Sequence, residues 1–320
     1  MINGHGDDLY LYGDIRMNFS SNICQGTDLS VLKRHLATKI DLVSNYPVPE
    51  AWSLEQLIAE RIGVAPQSVI VTNGATEAIY LVAQTFRMHH HLRQPTFSEY
   101  ADAIRMFRQD NRQGRCLWLC NPNNPTGEAV SGEEVLLTAR RYDLLVVDQS
   151  YEHYTDVPML SPRDAVRAGN VVQLHSFTKD YGVPGLRIGY MVCAPRLTRQ
   201  LRRNLRPWSV GALAIEAGRF LVEQGTPVSV SLDESQRLRH SLQAFASISV
   251  RETQTHFMLC QIAGHTAAQL KDWLAREQGM LIRDASNFRG LTPHHFRIAA
   301  QTPAENDALV RAMDTFLAIH

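Results

Sequence analysis

The apolar positions of the chain change period several times, and each change marks an element. Ser68-Val69-Ile70-Val71-Thr72 is a short, continuous apolar run, and Asn73-Gly74-Ala75-Thr76 interrupts it. Ala78, Ile79, Leu81, Val82 and Phe86 then fall on one broad helical face. This predicts a strand, a glycine turn and a helix. The same alternation recurs around the runs at 116–120 (CLWLC), 144–148 (LLVVD), 171–175 (VVQLH) and 188–193 (IGYMVC). Strands apolar on consecutive residues have no face left for water, so they predict a mainly parallel sheet with helices on both sides. Upstream, the first forty or so residues mix strand-like pieces with one helix near 28–40. Ser53 and Gln56 form a capping pair for a helix that Gly63 stops.

After Trp208 the pattern changes. A long helical stretch runs to about 245, and strands near 248–262 and 280–284 enclose a helix. Phe296–Ala299 is another strand, and Thr302-Pro303-Ala304-Glu305 caps a final helix. The expected fold class is therefore α/β with a small α+β C-terminal domain. Its expected parts are an N-terminal segment (1–40) packing with the small domain, a large domain (41–210), and a linking helix plus small domain (211–320).

Composition narrows the function. With 320 residues, 44% of them apolar, the chain can bury a large core. Its 32 basic and 32 acidic side chains give no net charge, which argues against a nucleic-acid partner. A few local arginines would still suffice for a small anion. The N-terminus lacks a basic start followed by an apolar run, and no window reaches the length of a membrane span, so neither a signal peptide nor a membrane partner is expected. The five cysteines lie mostly in apolar runs without metal-ligand spacing, which fits free thiols in a reducing cytoplasm. His89-His90-His91 and His294-His295 read as solvated loop histidines, and no metal site is expected.

Chemistry concentrates at strand ends. Ser176-Phe177-Thr178-Lys179 closes a buried strand, where a lysine must be paired, neutral or covalently used. Arg187 follows in Pro184-Gly185-Leu186-Arg187, and with Ser176 and Thr178 it can grip a phosphate. A reactive lysine beside a phosphate cup suits pyridoxal 5′-phosphate (PLP). Asn121-Pro122-Asn123-Asn124-Pro125-Thr126-Gly127 follows the CLWLC strand, Asp148 ends the LLVVD strand, and Tyr151 comes three residues later. The C-terminal edge of a parallel sheet would gather Asn124, Asp148, Tyr151 and Lys179, and open α/β sheets bind ligands at that edge.

These motifs resemble, over essentially the whole chain, the class I/II (fold type I) PLP-dependent aminotransferase superfamily. The resemblance implies an aspartate-aminotransferase-like fold with a three-layer α/β/α large domain. It also implies roles. Lys179 would carry PLP through its ε-amino group and later shuttle protons, and Asp148 would pair with the pyridine nitrogen. Asn124 and Tyr151 would hydrogen-bond the ring hydroxyl, and Phe97 would stack on the ring. The backbone N–H groups of Ala75 and Thr76 would join Ser176, Thr178 and Arg187 on the cofactor phosphate. Tyr46 resembles a tyrosine that reaches this phosphate from a second subunit, which implies a homodimer with the active site at its interface.

Within the superfamily the chain is most similar to the threonine-phosphate decarboxylases of cobalamin synthesis, with the histidinol-phosphate aminotransferases next. Four segments outside the PLP machinery carry this likeness: His5-Gly6, Asn18-Phe19-Ser20-Ser21-Asn22-Ile23, Arg206-Pro207-Trp208-Ser209-Val210, and Arg283 ahead of Arg297. The resemblance implies that Arg297 and Asn22 bind the substrate carboxylate, with Asn124 beside them, and that Arg283 and His5 bind a substrate phosphate. Two features depart from the family pattern. Asp7-Asp8 sets acids near the expected phosphate site, and the stretch between Phe107 and Cys116 is short.

Reaction choice rests on which Cα bond stands perpendicular to the cofactor ring. A carboxylate anchored in the ring plane exposes Cα–H and gives transamination. Anchoring the distal phosphate, so that the carboxylate stands upright, gives decarboxylation. The expected function is release of CO2 from O-phospho-L-threonine to give aminopropanol phosphate. Alternatives are a histidinol-phosphate-type aminotransferase using 2-oxoglutarate and glutamate, and a non-catalytic PLP-binding sensor module.

Overall fold

The computed structural model describes residues 8–23, 27–108, 113–228 and 231–319. Its larger sheet has six strands in the order Val69–Thr72, Gly189–Cys193, Val171–Ser176, Leu144–Asp148, Arg115–Cys120 and His89–Leu92. The last four of these run parallel to one another, and Gly189–Cys193 is antiparallel to both of its neighbours. Alternate side chains leave the sheet on opposite faces. Ile70, Trp118, Val146, Val172 and Met191 pack with Ala78, Ile79 and Val82 of the helix Gly74–Thr85. On the other face, Val69, Val71 and Val192 meet Leu54 and Ile58 of the helix Trp52–Ile62. Leu119, Leu145 and Val147 pack there against Val135 and Ala165 from two further helices. The expected layered α/β arrangement is present, and the apolar runs form its middle.

A second sheet, in the order Arg283–Asp284, His295–Ala299, Phe257–Ile262 and Ile248–Val250, is antiparallel throughout. Its core includes Leu238, Leu270, Leu309 and Phe316 from three helices. Met17–Asn18 pairs in parallel with Met280–Leu281, and Phe19 continues along this sheet, its N–H donating to Leu281 O (2.8 Å) and its carbonyl accepting from Ala299 N–H (2.9 Å). The N-terminal segment is thereby stitched to the small sheet.

Local expectations fail in three places. The Trp52–Ile62 helix begins at Ala51, without a side-chain cap, so Ser53 lies inside its first turn. Buried Glu55 sets the phase instead: it accepts from Val71 N–H (3.0 Å) and pairs with Arg202 (2.8 Å). The helical stretch after Trp208 is two helices, Ala212–Gln224 and Leu232–Gln243, because Pro227 cannot continue the first and Ser231 caps the second. His295 opens the strand His295–Ala299 rather than lying in a loop, and His89–Leu92 is likewise strand, at the edge of its sheet. There Trp118 Nε1–H donates to His90 Nδ1 (2.9 Å), which leaves Nε2–H to donate to Phe86 O (3.0 Å). Both nitrogens of His90 are thus engaged within the fold.

Among the described residues no helix is long and apolar enough to cross a membrane. Cys116, Cys120, Cys193 and Cys260 are buried free thiols.

Candidate active site

The loops that follow the parallel strands converge at one edge of the large sheet. Asp148, the last residue of its strand, is buried. One carboxylate oxygen accepts from the Tyr100 hydroxyl (2.7 Å), and the other accepts from Ser150 N–H (2.9 Å) and Oγ–H (2.6 Å). Burial and the neighbouring Asp148 charge push the Tyr100 phenol well above its ordinary pKa, so Tyr100 remains a donor. Three hydrogen bonds hold this carboxylate at a fixed angle.

An anion cup lies beside it. The helix Gly74–Thr85 presents its N-terminus here, with Ala75 and Thr76 in the first turn. The aligned peptide dipoles favour an anion at that end. Arg187 adopts a left-handed backbone (φ 54°), and its Nη1 donates to Thr178 Oγ1 (3.3 Å). Gly74 (φ +73°) admits the guanidinium, because a Cβ there would stand 2.7 Å from Arg187 Nη2. Gly189 is needed for a similar reason. Its Cβ would meet His175 O at 2.7 Å and Ala75 N at 2.9 Å, so only glycine lets this strand press against the helix start.

Lys179 lies on the short helix Phe177–Asp180, with Nζ 5.5 Å from the centre of the Tyr151 ring. Burial raises Tyr151 to about 12 despite the opposing charge of Arg297. Phe97 packs edge-on against Tyr100 (5.7 Å between ring centres). Arg297, from the small sheet, is buried and donates to Asn124 Oδ1 and Ser20 O, while its Nε has no partner. Burial lowers its pKa to about 10, which leaves it cationic at neutral pH. Asn22 is buried near the Tyr151 hydroxyl, close enough to favour the ionised phenol. Neither atom of its amide makes a hydrogen bond of good geometry. Two polar groups with spare hydrogen-bonding capacity on the cavity lining suit a polar ligand.

That cavity measures about 270 Å³ and is lined by every anticipated cofactor and carboxylate residue except Tyr46. Tyr46 is 88% exposed and leans on Trp208 (5.7 Å between ring centres). Arg283 stands directly opposite Arg297 in the antiparallel ladder, so both project from one face. It is buried, donates to Asn287 Oδ1 (2.8 Å), and does not line the cavity. His5 and Asp7 lie outside the described residues. Asp8 does not oppose an anion unpaired, because it forms a buried ion pair with Lys271.

Tyr100 and Ser150 line the cavity, His256 packs behind it against Tyr154, and none of the three was anticipated. Tyr100 has a faint signal, since it follows Phe97 at helical spacing. His256 has none: its ring packs on Tyr154 (4.3 Å), and burial, reinforced by Lys179 and Arg297, depresses its pKa to about 3.

The aminotransferase class I and II pattern matches residues 91–313. The chain belongs to that family. Enzymes of the family are PLP-dependent, and so is this one. The site fits the group: it joins a cationic cup that two glycines keep open, a fixed carboxylate and a lysine at one sheet edge. Among solved structures, L-threonine-O-3-phosphate decarboxylase from Porphyromonas gingivalis is 35% identical, with a TM-score of 0.89 over 94% of this chain and 99% of that one. Threonine-phosphate decarboxylase of Salmonella typhimurium is 28% identical over 95% of this chain and 92% of its own length. Histidinol-phosphate aminotransferase of an Anaeromyxobacter species is 30% identical over 89% and 85%.

Proposed function

We propose that the chain decarboxylates O-phospho-L-threonine to aminopropanol phosphate. The observation that carries this is the full-length likeness to the Porphyromonas decarboxylase. The paired placement of Arg283 and Arg297, two cations for two substrate anions, supports it.

PLP, when bound, supplies a sink for the electron pair released at Cα. Lys179 Nζ holds the cofactor and afterwards delivers a proton to Cα. Asp148, oriented by Tyr100 and Ser150, keeps the ring nitrogen protonated. Asn124 and Tyr151 hydrogen-bond the ring hydroxyl, and Phe97 covers a ring face. Ala75, Thr76, Ser176, Thr178 and Arg187 take the cofactor phosphate. Arg297 and Asn22 hold the substrate carboxylate beside Asn124. Arg283 takes the substrate phosphate together with His5, exchanging its Asn287 contact for the ligand. For CO2 rather than the Cα proton to be lost, Arg283 and His5 at the phosphate end would have to set the substrate so that Arg297 and Asn22 hold its carboxylate upright rather than in the ring plane.

The enzyme is further read as a cytoplasmic homodimer without a nucleic-acid partner, in which Tyr46 serves the cofactor phosphate of the other subunit. Exposed Ile40, Val43, Tyr46, Val48, Trp52 and Trp208 support a second copy at this face. In the same proposal the chain divides into an N-terminal segment (1–40), a large domain (41–210) and a linking helix with the small domain (211–320).

The test is direct. PLP-loaded protein is incubated with O-phospho-L-threonine and assayed for CO2 and amine, beside a tube holding histidinol phosphate and 2-oxoglutarate assayed for glutamate. CO2 without glutamate is expected. Glutamate without CO2 would instead make the chain an aminotransferase, the class to which the Anaeromyxobacter relative belongs.

A further inference from the structure

Two segments that the active site depends on meet outside its cavity. One is the turn Glu152–Tyr154, directly after Tyr151, and the other is the helix Phe177–Asp180, which carries Lys179. Glu152, His153 and Asp180 face each other there, with their candidate ligand atoms all within 4.8 Å of one another. His153 Nε2 lies 3.9 Å from Glu152 Oε1 and 3.9 Å from Asp180 Oδ1. Both distances are too long for hydrogen bonds. None of the three residues lines the cofactor cavity.

The carboxylates are not equally served. Glu152 Oε2 accepts from Gln149 Nε2 (3.1 Å), and Oε1, the oxygen nearer His153, bonds His175 Nδ1 (2.6 Å) and has a further lone pair for a ligand. Asp180 is only 4% exposed, and its Oδ1 has no hydrogen-bond partner. A buried carboxylate oxygen facing a second carboxylate must be balanced by a proton or by a cation. The position of His153 favours a cation, since it aims a ring nitrogen at the same gap.

We propose that Glu152, His153 and Asp180 form a binding site for a divalent first-row transition ion. One imidazole nitrogen and two carboxylate oxygens, with water completing the shell, suit Zn²⁺ or a similar ion better than the all-oxygen preference of Ca²⁺ or Mg²⁺. A tetrahedral ion with bonds of about 2.0–2.1 Å sets its ligands roughly 3.3 Å apart. The 3.9 Å gaps to His153, and a Glu152–Asp180 separation of at most 4.8 Å, must therefore close. His153, whose side chain is 38% exposed, supplies its own part of that movement and the route of entry, and rotation of the Glu152 and Asp180 carboxylates supplies the rest. The ion would tie the segment after Tyr151 to the turn holding Lys179.

The full chain, loaded with PLP and stripped by chelator, is titrated with ZnCl2 and separately with CoCl2. The readouts are bound metal per chain, the visible Co²⁺ spectrum and Tm. One equivalent is expected to bind and to raise Tm. His153→Ala, at the surface, and Asp180→Asn, of unchanged shape, should each weaken Zn²⁺ by more than about tenfold. His89→Ala and His91→Ala should leave binding intact. Absence of stoichiometric binding, or binding that survives both His153→Ala and Asp180→Asn, would overturn the proposal and leave Asp180 as a buried neutral acid.

Discussion

Asp148 illustrates how one side chain depends on two that motif reading passes over. Its carboxylate is aimed by Tyr100 and Ser150, neither of which belongs to a signature. Asp148→Ala should leave PLP bound weakly while lowering kcat by at least about 10²-fold, the scale of a lost electrostatic contact in a dry site. Near-normal turnover would contradict its role. His256 makes a different prediction. Unfolded histidine titrates near 6.5, whereas in the fold His256 stays neutral down to about 3. Above pH 6.5 both states are neutral and this residue adds no pH dependence. As pH falls below 6.5 the unfolded chain takes up a proton that the fold refuses, so stability declines across the window from 6.5 to about 3. Between pH 7.5 and 5 the decline should be about 2 kcal/mol. Urea unfolding at both values should show that share missing in His256→Gln; identical slopes for both proteins would refute the assignment.

At the scale of elements, the cup depends on backbones meeting closely. The strand from Gly189 presses against the helix start because Gly189 carries no Cβ, while Gly74 leaves room for the Arg187 guanidinium. Gly189→Ala should destabilise the fold by about 1–3 kcal/mol, the range for overpacking. The displaced helix start should also weaken PLP binding. Urea midpoints and PLP titration check both, and unchanged PLP affinity in a destabilised variant would separate the cup from this contact. Legibility varies at this scale for physical reasons. Strands buried on both faces announce themselves as apolar runs, so Val69–Thr72 and Leu144–Asp148 were readable. The edge strand His89–Leu92 was not, because its hydrogen bonds and its Trp118 contact stabilise it without an apolar pattern. Ser53 shows the converse: a good local cap lost to the buried pairing of Glu55 with Arg202.

Across the whole molecule, the exposed apolar residues around Tyr46 and Trp208 fit the proposed dimer, in which Tyr46 would serve the other subunit's site. A hybrid test addresses the sharing itself. Tyr46→Ala and Lys179→Ala homodimers should each lose most of their activity. Mixed subunits should recover part of it, because one site then combines an intact Lys179 with the partner's intact tyrosine. Sedimentation should report a dimer throughout. A monomer, or hybrids no better than their parents, would place Tyr46 outside the other subunit's site.

Lys179, Asp148, Asn124 and Arg187 were legible because each sits at the end of, just beyond, or just before an apolar strand. Once strands lie side by side in a parallel sheet, their ends meet, so the run of apolar strands was enough to place these residues at one sheet edge and to give the fold class. Their roles toward the cofactor came from the resemblance to the family. What required tertiary structure were contacts between segments distant in the chain. These include Tyr100 on Asp148, His256 against Tyr154, Asp8 on Lys271, and Asp180 facing Glu152 and His153. No periodicity encodes such meetings. They follow from how the sheets and helices pack, and packing sets the burial that shifts a pKa or leaves a carboxylate without a partner.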